Sequence, residues 1–294
     1  MDVTLTYINP QGKTAIFRTR RQADGAHPPL LLNYITGVGG PPVEYSNDQR
    51  TGNDGGVFGA PWYPARTIQT GCMIYGKTDA ERDRQLRSLL GILNPKLGDG
   101  TLVYRNHEGT YKTGARCVVL PSFAANSKQA DWKPVLIDYT CPYPFLQGMA
   151  ELSTLVAASS ESFVIPFRVP FRLGSQTYKA TANNQSSVPV PVRIIITGPS
   201  VNPVITNATT GERMMVRREV AAGAKLTITT GPIISVKIRT AQGVESDALN
   251  YVDLLDTAWL QLMPGANDLT YSSNDAAKNT RVEVHWGDWY LGVG

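Results

Sequence analysis

The chain has 294 residues, a hydrophobic share of 42%, a charged share of 18% and a formal net charge of +4. This composition can fill one or two packed cores, which excludes bulk disorder. A dedicated nucleic-acid binder carries a stronger basic stripe, so we expect no sequence-specific nucleic-acid partner. No apolar run approaches the roughly 18 residues that a membrane span needs, and we expect no membrane partner.

The first half of the chain is predicted to consist mainly of strands and turns. Alternating apolar and polar residues, separated by turn residues, indicate strands of a half-buried sheet. The predicted strands are Val3–Ile8, Thr14–Phe17, Leu30–Ile35, Arg66–Tyr75, Thr101–Tyr104, Thr113–Leu120 and Lys133–Thr140.

The segment 37–64 interrupts these strands and is rich in Gly, Pro, Asn and Asp. Loops of this length in compact domains are usually functional or mobile. A phosphate cradle would need Gly-Lys-Ser/Thr opening a helix, and a calcium loop of the repeat type would need several copies. Neither condition is met, so the segment is predicted to be a flexible arm. Its glycine-rich centre is Gly52, Asn53, Asp54, Gly55, Gly56, Val57, Phe58 and Gly59.

One helix is predicted over residues 79–93. Thr78 and Glu81 match a capping box, and Asn94-Pro95 ends the helix. One apolar stripe repeats at helical spacing and predicts packing against a sheet. That stripe is Leu86, Leu89, Leu90 and Leu93, and the residues predicted to lie away from it are Arg82, Arg84 and Arg87.

The second half is predicted to be all β, and we place a domain boundary just after Gly148, giving domains 1–148 and 149–294. Regularly spaced turn residues favour an antiparallel sandwich or jelly roll, with a short helix possible at Ala248–Leu255. The strand candidates are Phe163–Val169, Gln176–Thr181, Val188–Thr197, Met214–Arg218, Lys225–Thr230, Ile233–Ile238, Trp259–Leu262 and Arg281–Trp286.

No residue pattern points to catalysis or to a metal. The three cysteines are widely spaced without a C-x-x-C pair, which favours buried free thiols. The three histidines lie far apart, and His107 falls in a predicted hairpin turn over residues 105–109. No Gly-x-Ser-x-Gly elbow and no obvious carboxylate pair is present. We therefore expect a protein that is not an enzyme and that has no cofactor.

Aromatic residues close the chain. The alternation of Val282, Val284 and Trp286 predicts that Trp286 faces the core. Trp289 and Tyr290 are less constrained, and core packing competes with a contact to a glycan or a partner protein for this pair.

Taken in order, these features resemble the siphovirus tail component family, the distal tail proteins of long, non-contractile-tailed phages. The resemblance covers essentially the whole chain. It depends on the order of five segments: the strand Arg66–Tyr75 with its capped helix, Leu93-Asn94-Pro95, the strand ending in Cys141-Pro142-Tyr143-Pro144-Phe145, Thr197-Gly198-Pro199-Ser200-Val201-Asn202-Pro203, and the turn Leu262-Met263-Pro264-Gly265-Ala266-Asn267-Asp268-Leu269.

The resemblance implies a mainly β protein with an N-terminal β-sandwich that carries one helix and a C-terminal galectin-like β-sandwich. It also implies a structural virion protein: a hub ring, typically a hexamer, that joins the tail tube to the tail tip or baseplate. The arm would reach a neighbouring copy. The implied partners are the tail tube protein, the tip or baseplate protein and a receptor-binding protein.

Two other functions compete with the hub ring. The second domain could be a carbohydrate-binding module used in host adsorption, although nothing matches the sugar-binding motif of true galectins. A hydrolase fused to such a module is less favoured, because no catalytic constellation emerges. We expect the chain to be made in the host cytoplasm and to reside in the virion tail.

Overall fold

The computed structural model describes residues 2–19, 28–49, 54, 56–121, 132–157, 178–274 and 280–294. The chain divides into two compact units. The first unit is Met1–Met149 together with Tyr290–Gly294, and the second unit is Ala150–Trp289. Both units are mainly β, and the described residues contain a single α-helix, as the sequence predicts. None of the described helices is long and apolar enough to cross a bilayer.

The first unit holds strands β1 to β9, helix α1 and the start of β10. In chain order they are β1 (Thr4–Ile8), β2 (Thr14–Arg18), β3 (Leu30–Thr36), β4 (Asn47–Gln49), β5 (Gly56–Phe58), β6 (Arg66–Tyr75), α1 (Asp79–Ile92), β7 (Gly100–Arg105), β8 (Thr110–Val119), β9 (Trp132–Cys141) and β10 (Leu146–Ala157). A short 3-10 turn follows α1 at Pro95–Leu97.

The strand order of the first unit is β8-β7-β1-β2-β3-β6-β9, and β9 also pairs with β8, so the order returns to its start. Most neighbours are antiparallel, but β2 and β3 are parallel and share one pair, Arg18 with Leu31. Alternate residues of each strand face one enclosed core. Leu5, Phe17, Ile68 and Ile137 are among its buried members.

Helix α1 begins and ends where the sequence predicts. Thr78 Oγ1 accepts a hydrogen bond from the backbone N–H of Glu81, at 3.2 Å, and Glu81 Oε2 accepts from the N–H of Lys77. Leu86, Leu89 and Leu93 are buried in the core of the first unit.

Arg82 does not lie away from the helix stripe, contrary to the prediction. Its side chain is buried, and its guanidinium donates to Gly76 O at 2.7 Å and to Asp79 Oδ1. The positive charge of Arg82 is therefore buried at the helix N-terminus. Its two terminal nitrogens donate hydrogen bonds to a loop carbonyl and to a first-turn carboxylate.

The second unit is built from the later part of β10 and thirteen further strands. They are β11 (Tyr178–Asn184), β12 (Val190–Pro191), β13 (Arg193–Thr197), β14 (Ser200–Val201), β15 (Val204–Asn207), β16 (Arg213–Met215), β17 (Glu219–Val220), β18 (Lys225–Thr229), β19 (Ser235–Arg239), β20 (Glu245–Asp247), β21 (Gln261–Leu262), β22 (Gly265–Ser272) and β23 (Arg281–Tyr290).

Besides the short strand pairs β12–β21 and β14–β17, the described residues of the second unit form two antiparallel sheets. One runs β20-β19-β18-β13-β23-β10 and the other runs β11-β22-β15-β16. Their inward residues, including Ile194, Leu226, Leu269 and Val284, form one buried cluster. Trp286 belongs to that cluster, as its alternation with Val282 and Val284 predicts.

Asn267 holds the turn that precedes β22. Its Oδ1 accepts from Met263 N at 2.9 Å, and its Nδ2 donates to the carbonyls of Met263 and Gly265. Asn207 Nδ2 donates to the same Oδ1 at 3.0 Å. Both amides are fully buried, and their hydrogen bonds satisfy backbone groups that the turn would otherwise leave without partners. The asparagine of the proline-glycine-x-asparagine segment therefore has a structural role, which is to hold this turn by hydrogen bonds.

Two differences from the sequence prediction remain, and one predicted strand is not tested. The segment Ala248–Leu255 contains only a 3-10 turn at Leu249–Tyr251 rather than a helix. The strand predicted at Phe163–Val169 lies outside the described residues. Residues 290–294, predicted to belong to the second domain, belong to the first unit, since Val293 is buried in its core and donates a hydrogen bond to Val38 O.

Candidate assembly arm

Residues 44–49 and 56–62 pair as a two-stranded antiparallel ribbon, which we call the arm. Glu44 and Trp62 pair through two backbone hydrogen bonds of 2.9 and 2.8 Å. Further out, β4 and β5 pair antiparallel, with Asn47 opposite Phe58. The described residues of the predicted arm therefore pair as a ribbon, although no strand was predicted between residues 37 and 64.

The arm displays apolar side chains to solvent. Phe58 is 67% exposed, and its ring contacts Tyr45 edge-on at 4.7 Å between centroids. The exposed large apolar residues of the arm and its flanks are Val43, Tyr45, Val57, Phe58, Trp62 and Tyr63. A cluster of this kind on one projecting element is typical of a surface that another protein covers.

A buried arginine fixes the root of the arm. Arg66 is 1% exposed, and its Nη1 donates to Gly37 O at 3.1 Å and to Val38 O at 3.3 Å. Its Nη2 donates to Leu291 O. Burial lowers the pKa of the Arg66 guanidinium from its ordinary value. The three carbonyls replace the water that this cation loses, and they tie the arm root to the C-terminal segment.

Close packing also constrains the arm root. Gly37 has a φ of +83°, and a Cβ at this position would lie 2.1 Å from Thr67 O. Only glycine fits such a backbone without displacing β6. On the other side of the root, the Tyr63 ring contacts Phe145 at 5.7 Å between centroids. The root is therefore anchored at both ends.

The predicted arm residues fall into two groups. Gly52, Asn53 and Gly55 lie outside the described residues. Asp54 is exposed, and the remaining four, Gly56, Val57, Phe58 and Gly59, lie on or directly after β5. Gly59 N donates to Ser46 O at 2.8 Å, which continues the ribbon beyond β5. Their role in contacting another copy stays a prediction.

Arg66 was not singled out from the sequence, although one signal pointed to it. It stands on β6 at period two with Ile68, Cys72 and Ile74, which all face the core. An arginine on that face requires buried acceptors. The acceptor from Leu291 is 225 residues away along the chain, so the local sequence carries no trace of it.

The cysteines are free and buried, as predicted from their spacing. Burial raises the pKa of Cys72 to about 12, and it raises the pKa of Cys117 and of Cys141 to about 11. These thiols stay protonated at neutral pH and are poor nucleophiles. Among the described residues, no group of three or more His, Cys, Asp and Glu is placed to hold a metal ion.

The two closing aromatics do not form one exposed platform. Trp289 is partly buried against the core of the second unit, and its backbone N–H donates to Ser186 Oγ at 2.7 Å. Tyr290 packs on the core of the first unit and meets Tyr111 edge-on at 5.2 Å. Sugar stacking needs an open ring face, so this geometry favours packing. A glycan or partner contact at these residues stays a prediction.

Residues 183–290 match the family model of the siphovirus-type tail component, C-terminal domain. The resemblance to the siphovirus tail component family is therefore confirmed for this part of the chain, which lies almost wholly in the second unit. No curated protein matches the chain.

Two solved structures give the same fold. The SPP1 Dit protein, described as a paradigm of the hub adsorption apparatus in phages infecting Gram-positive bacteria, has a TM-score of 0.68 at 14% identity. The match covers 98% of each chain. A chain of the phage P2 baseplate in its activated conformation with Ca has a TM-score of 0.53 at 8% identity, over 97% of this chain and 98% of that one. The predicted fold class, a β-sandwich with one helix followed by a galectin-like β-sandwich, is confirmed.

Proposed function

We propose that this chain is the hub protein of a long, non-contractile phage tail. Copies of it form a ring, typically of six, at the distal end of the tail tube. The ring joins the tube to the tail tip or baseplate, and its role is structural rather than enzymatic. The chain is assembled in the host cytoplasm and resides in the virion tail.

The arm is the observation that carries this proposal. The folded body of the first unit has its own core, yet the described residues of the arm expose aromatic and aliphatic side chains that this core does not cover. Burying an exposed apolar side chain contributes about 1.5–3 kcal/mol, so covering several of them favours association strongly. A neighbouring copy in a closed ring supplies such cover for every subunit alike.

The comparisons support the same function. A siphovirus-type tail domain matches the second unit, and the similar solved structures are named for a hub and a baseplate. The tail tube protein and the tip or baseplate protein are the proposed partners of the ring. The second unit, which carries the matched domain, is the proposed attachment point for a receptor-binding protein.

Electron microscopy and native mass measurement of the purified chain test this function. We expect hollow rings and a measured mass that is a whole multiple of the mass of one chain. The double variant Phe58→Ser with Trp62→Ser is expected to shift the mass toward the monomer. Leu255→Ser is the matched control, since Leu255 is 98% exposed but belongs to the second unit and not to the arm. A chain that stays monomeric at high concentration would overturn the proposal.

A further inference from the structure

The first unit is not continuous along the chain. Met1–Met149 supplies its helix and most of its strands, and Tyr290–Gly294 joins it after the chain has passed through the whole of the second unit. We call residues 290–294 the clasp. The contacts that hold the clasp show what kind of segment this part of the first unit accepts.

Backbone hydrogen bonds hold the clasp in the first unit. Leu291 O accepts a hydrogen bond from Arg66 Nη2. The Val293 N–H donates to Val38 O at 2.9 Å. Both bonds use the backbone of the clasp, which is a general way for a protein cleft to bind a peptide segment.

A side chain of the first unit is oriented for the far end of the clasp. Asn106 is buried, and its Oδ1 accepts from the N–H groups of Glu108 and Gly109 at 3.0 Å each. Its Nδ2 donates to Gly294 O. The first two bonds lie within the turn 106–109 and fix the amide without the clasp, so this donor is in place before the clasp binds.

Two side chains and one glycine give the clasp a sequence requirement. Val293 is buried in the core of the first unit, and the Tyr290 ring meets the Tyr111 ring edge-on at 5.2 Å between centroids. Between these two anchors, a Cβ at Gly292 would lie 2.4 Å from the backbone carbonyl carbon of Gly39. Contact this close leaves room only for glycine, so the cleft selects a peptide with an aromatic residue, a glycine and a small aliphatic residue in this order.

The clasp and the arm root depend on the same hydrogen-bonding groups. Arg66 donates to Gly37 O and Val38 O as well as to Leu291 O. Without the clasp, this buried guanidinium loses one of its three described acceptors, and Val38 O loses the Val293 donor. A buried cation that loses an acceptor draws in water, so the arm root is expected to open locally.

We propose that residues 290–294 are a separable clasp, which binds as a peptide in a cleft of the first unit and closes the arm root only after the second unit has been synthesised. Domains generally fold as units in the order in which they are made. The first unit instead waits for a segment that follows Trp289, so the arm root stays open in any chain that ends before residue 290. This inference concerns the order of folding and goes beyond the proposed ring function.

Thiol labelling of a chain that ends at Trp289 tests the clasp. Cys141 is fully buried and stands opposite Arg66 in the pairing of β6 with β9, whereas Cys72 lies further along β6. In the shortened chain, Cys141 is expected to react with a maleimide about tenfold faster than in the full chain, because local opening of the arm root admits the reagent. Cys72 is the internal control, and mass spectrometry of the digested chain is expected to show its reactivity unchanged.

A synthetic peptide supplies the clasp in trans. N-acetylated Tyr-Leu-Gly-Val-Gly, the sequence of the clasp, is added to the shortened chain. It is expected to restore the protection of Cys141 in a saturable manner. The same peptide with alanine in its central position is the matched control and is expected to have no effect, because the added Cβ meets the Gly39 backbone.

Two glycine substitutions in the full chain give an independent readout. Gly292→Ala places a Cβ against the Gly39 backbone and is expected to expose Cys141 as the truncation does. Gly294→Ala makes the same chemical change where a Cβ meets no atom within 4 Å, and Cys141 is expected to stay protected. Because both variants keep a clasp of full length, this comparison separates the fit of the clasp from its presence.

The outcomes decide between a separable clasp and an ordinary piece of core. Equal protection of Cys141 in the shortened and full chains would overturn the inference, and so would equal protection by the two peptides. Equal gains of reactivity at Cys72 and Cys141 would also overturn it, because the whole unit would then unfold without residues 290–294. Selective exposure of Cys141 that only the glycine peptide reverses would establish the clasp. None of these readouts requires a ring, so they test this inference apart from the proposed function.

Discussion

The two units use the same β architecture but differ in how each is completed. In the second unit, polar turn residues are buried and hydrogen-bonded to neighbouring groups. Asn207 donates a hydrogen bond to Asn267, which also bonds the adjacent backbone. The first unit encloses a comparable core, yet it also holds out a ribbon with Phe58 and Trp62 exposed. The second unit also exposes single apolar residues such as Leu255, whereas the exposed aromatic residues of the ribbon support the proposal that a partner covers it.

The buried polar groups differ as well. The second unit uses neutral amides, which cost little once they are hydrogen-bonded. The first unit buries the cation of Arg66 at the arm root and all three thiols of the chain. Its stability therefore depends on thiol ionisation and on buried cations, Arg82 as well as Arg66, and the dependence on the thiols and on Arg66 can be tested separately.

Alkaline pH is expected to have the largest effect, through the buried thiols of the first unit. Burial raises the pKa of Cys117 and Cys141 from 9.0 to about 11 and that of Cys72 to about 12. Between about pH 9 and about pH 11 the unfolded chain loses thiol protons that the folded unit keeps. The free energy of unfolding therefore falls by about 1.4 kcal/mol per pH unit for each thiol. For the three thiols together the fall is about 4 kcal/mol per pH unit.

Denaturant titration across that pH range measures this slope. The variant Cys72→Ala, Cys117→Ala, Cys141→Ala is expected to lose the thiol-dependent part of it. The second unit contains no cysteine, so its transition serves as the internal control. Thiols that react with a thiol reagent in the folded chain as fast as in the unfolded chain would contradict the prediction.

Arg66→Met is expected to destabilise the first unit by about 3–5 kcal/mol, because it removes a buried guanidinium that bonds three carbonyls, of which the Val38 carbonyl alone keeps a second described donor, the N–H of Val293. Those carbonyls belong to Gly37, Val38 and Leu291. Denaturant unfolding measures the loss, and proteolysis at the arm root is expected to quicken. Arg105→Met, at an exposed strand end, is the matched control and should change stability by less than about 0.5 kcal/mol.

Asn267→Ala is expected to destabilise the second unit by about 3 kcal/mol, since it leaves Met263, Gly265 and Asn207 groups without their partner. Asn183→Ala makes the same chemical change at an exposed position of β11 and should be nearly neutral. Equal losses in the two variants, measured by chemical unfolding, would count against the buried amide network.

The features of this fold that depend on residues close together in the chain could be predicted from the sequence. The capping box at Thr78 and Glu81 and the period-two strands are signals read within a few residues, and both appear in the structure. The hairpin of the arm did not follow from the sequence, because β4 and β5 are three residues each and gain order only by pairing with each other.

The candidate site shows the same division. The arm could be located from its glycine content, but its anchors could not. The root of the arm depends on Arg66, Gly37 and the C-terminal carbonyl of Leu291, which the chain brings together from distant positions. Contacts between residues far apart in the chain produce no periodic pattern in a single sequence. The assignment of residues 290–294 to the second domain was wrong for the same reason.

Phe58→Ser is expected to have the smallest effect on stability, below about 0.5 kcal/mol, because its ring is largely in solvent before association. Its effect on self-association should be far larger than its effect on folding. Leu5→Ala, in the core of the same unit, should do the reverse and cost about 2–5 kcal/mol of folding stability. Thermal unfolding and sedimentation of both variants test this crossover. A Phe58→Ser chain that unfolds early while still forming rings would mean that the arm supports its own body and not a neighbour.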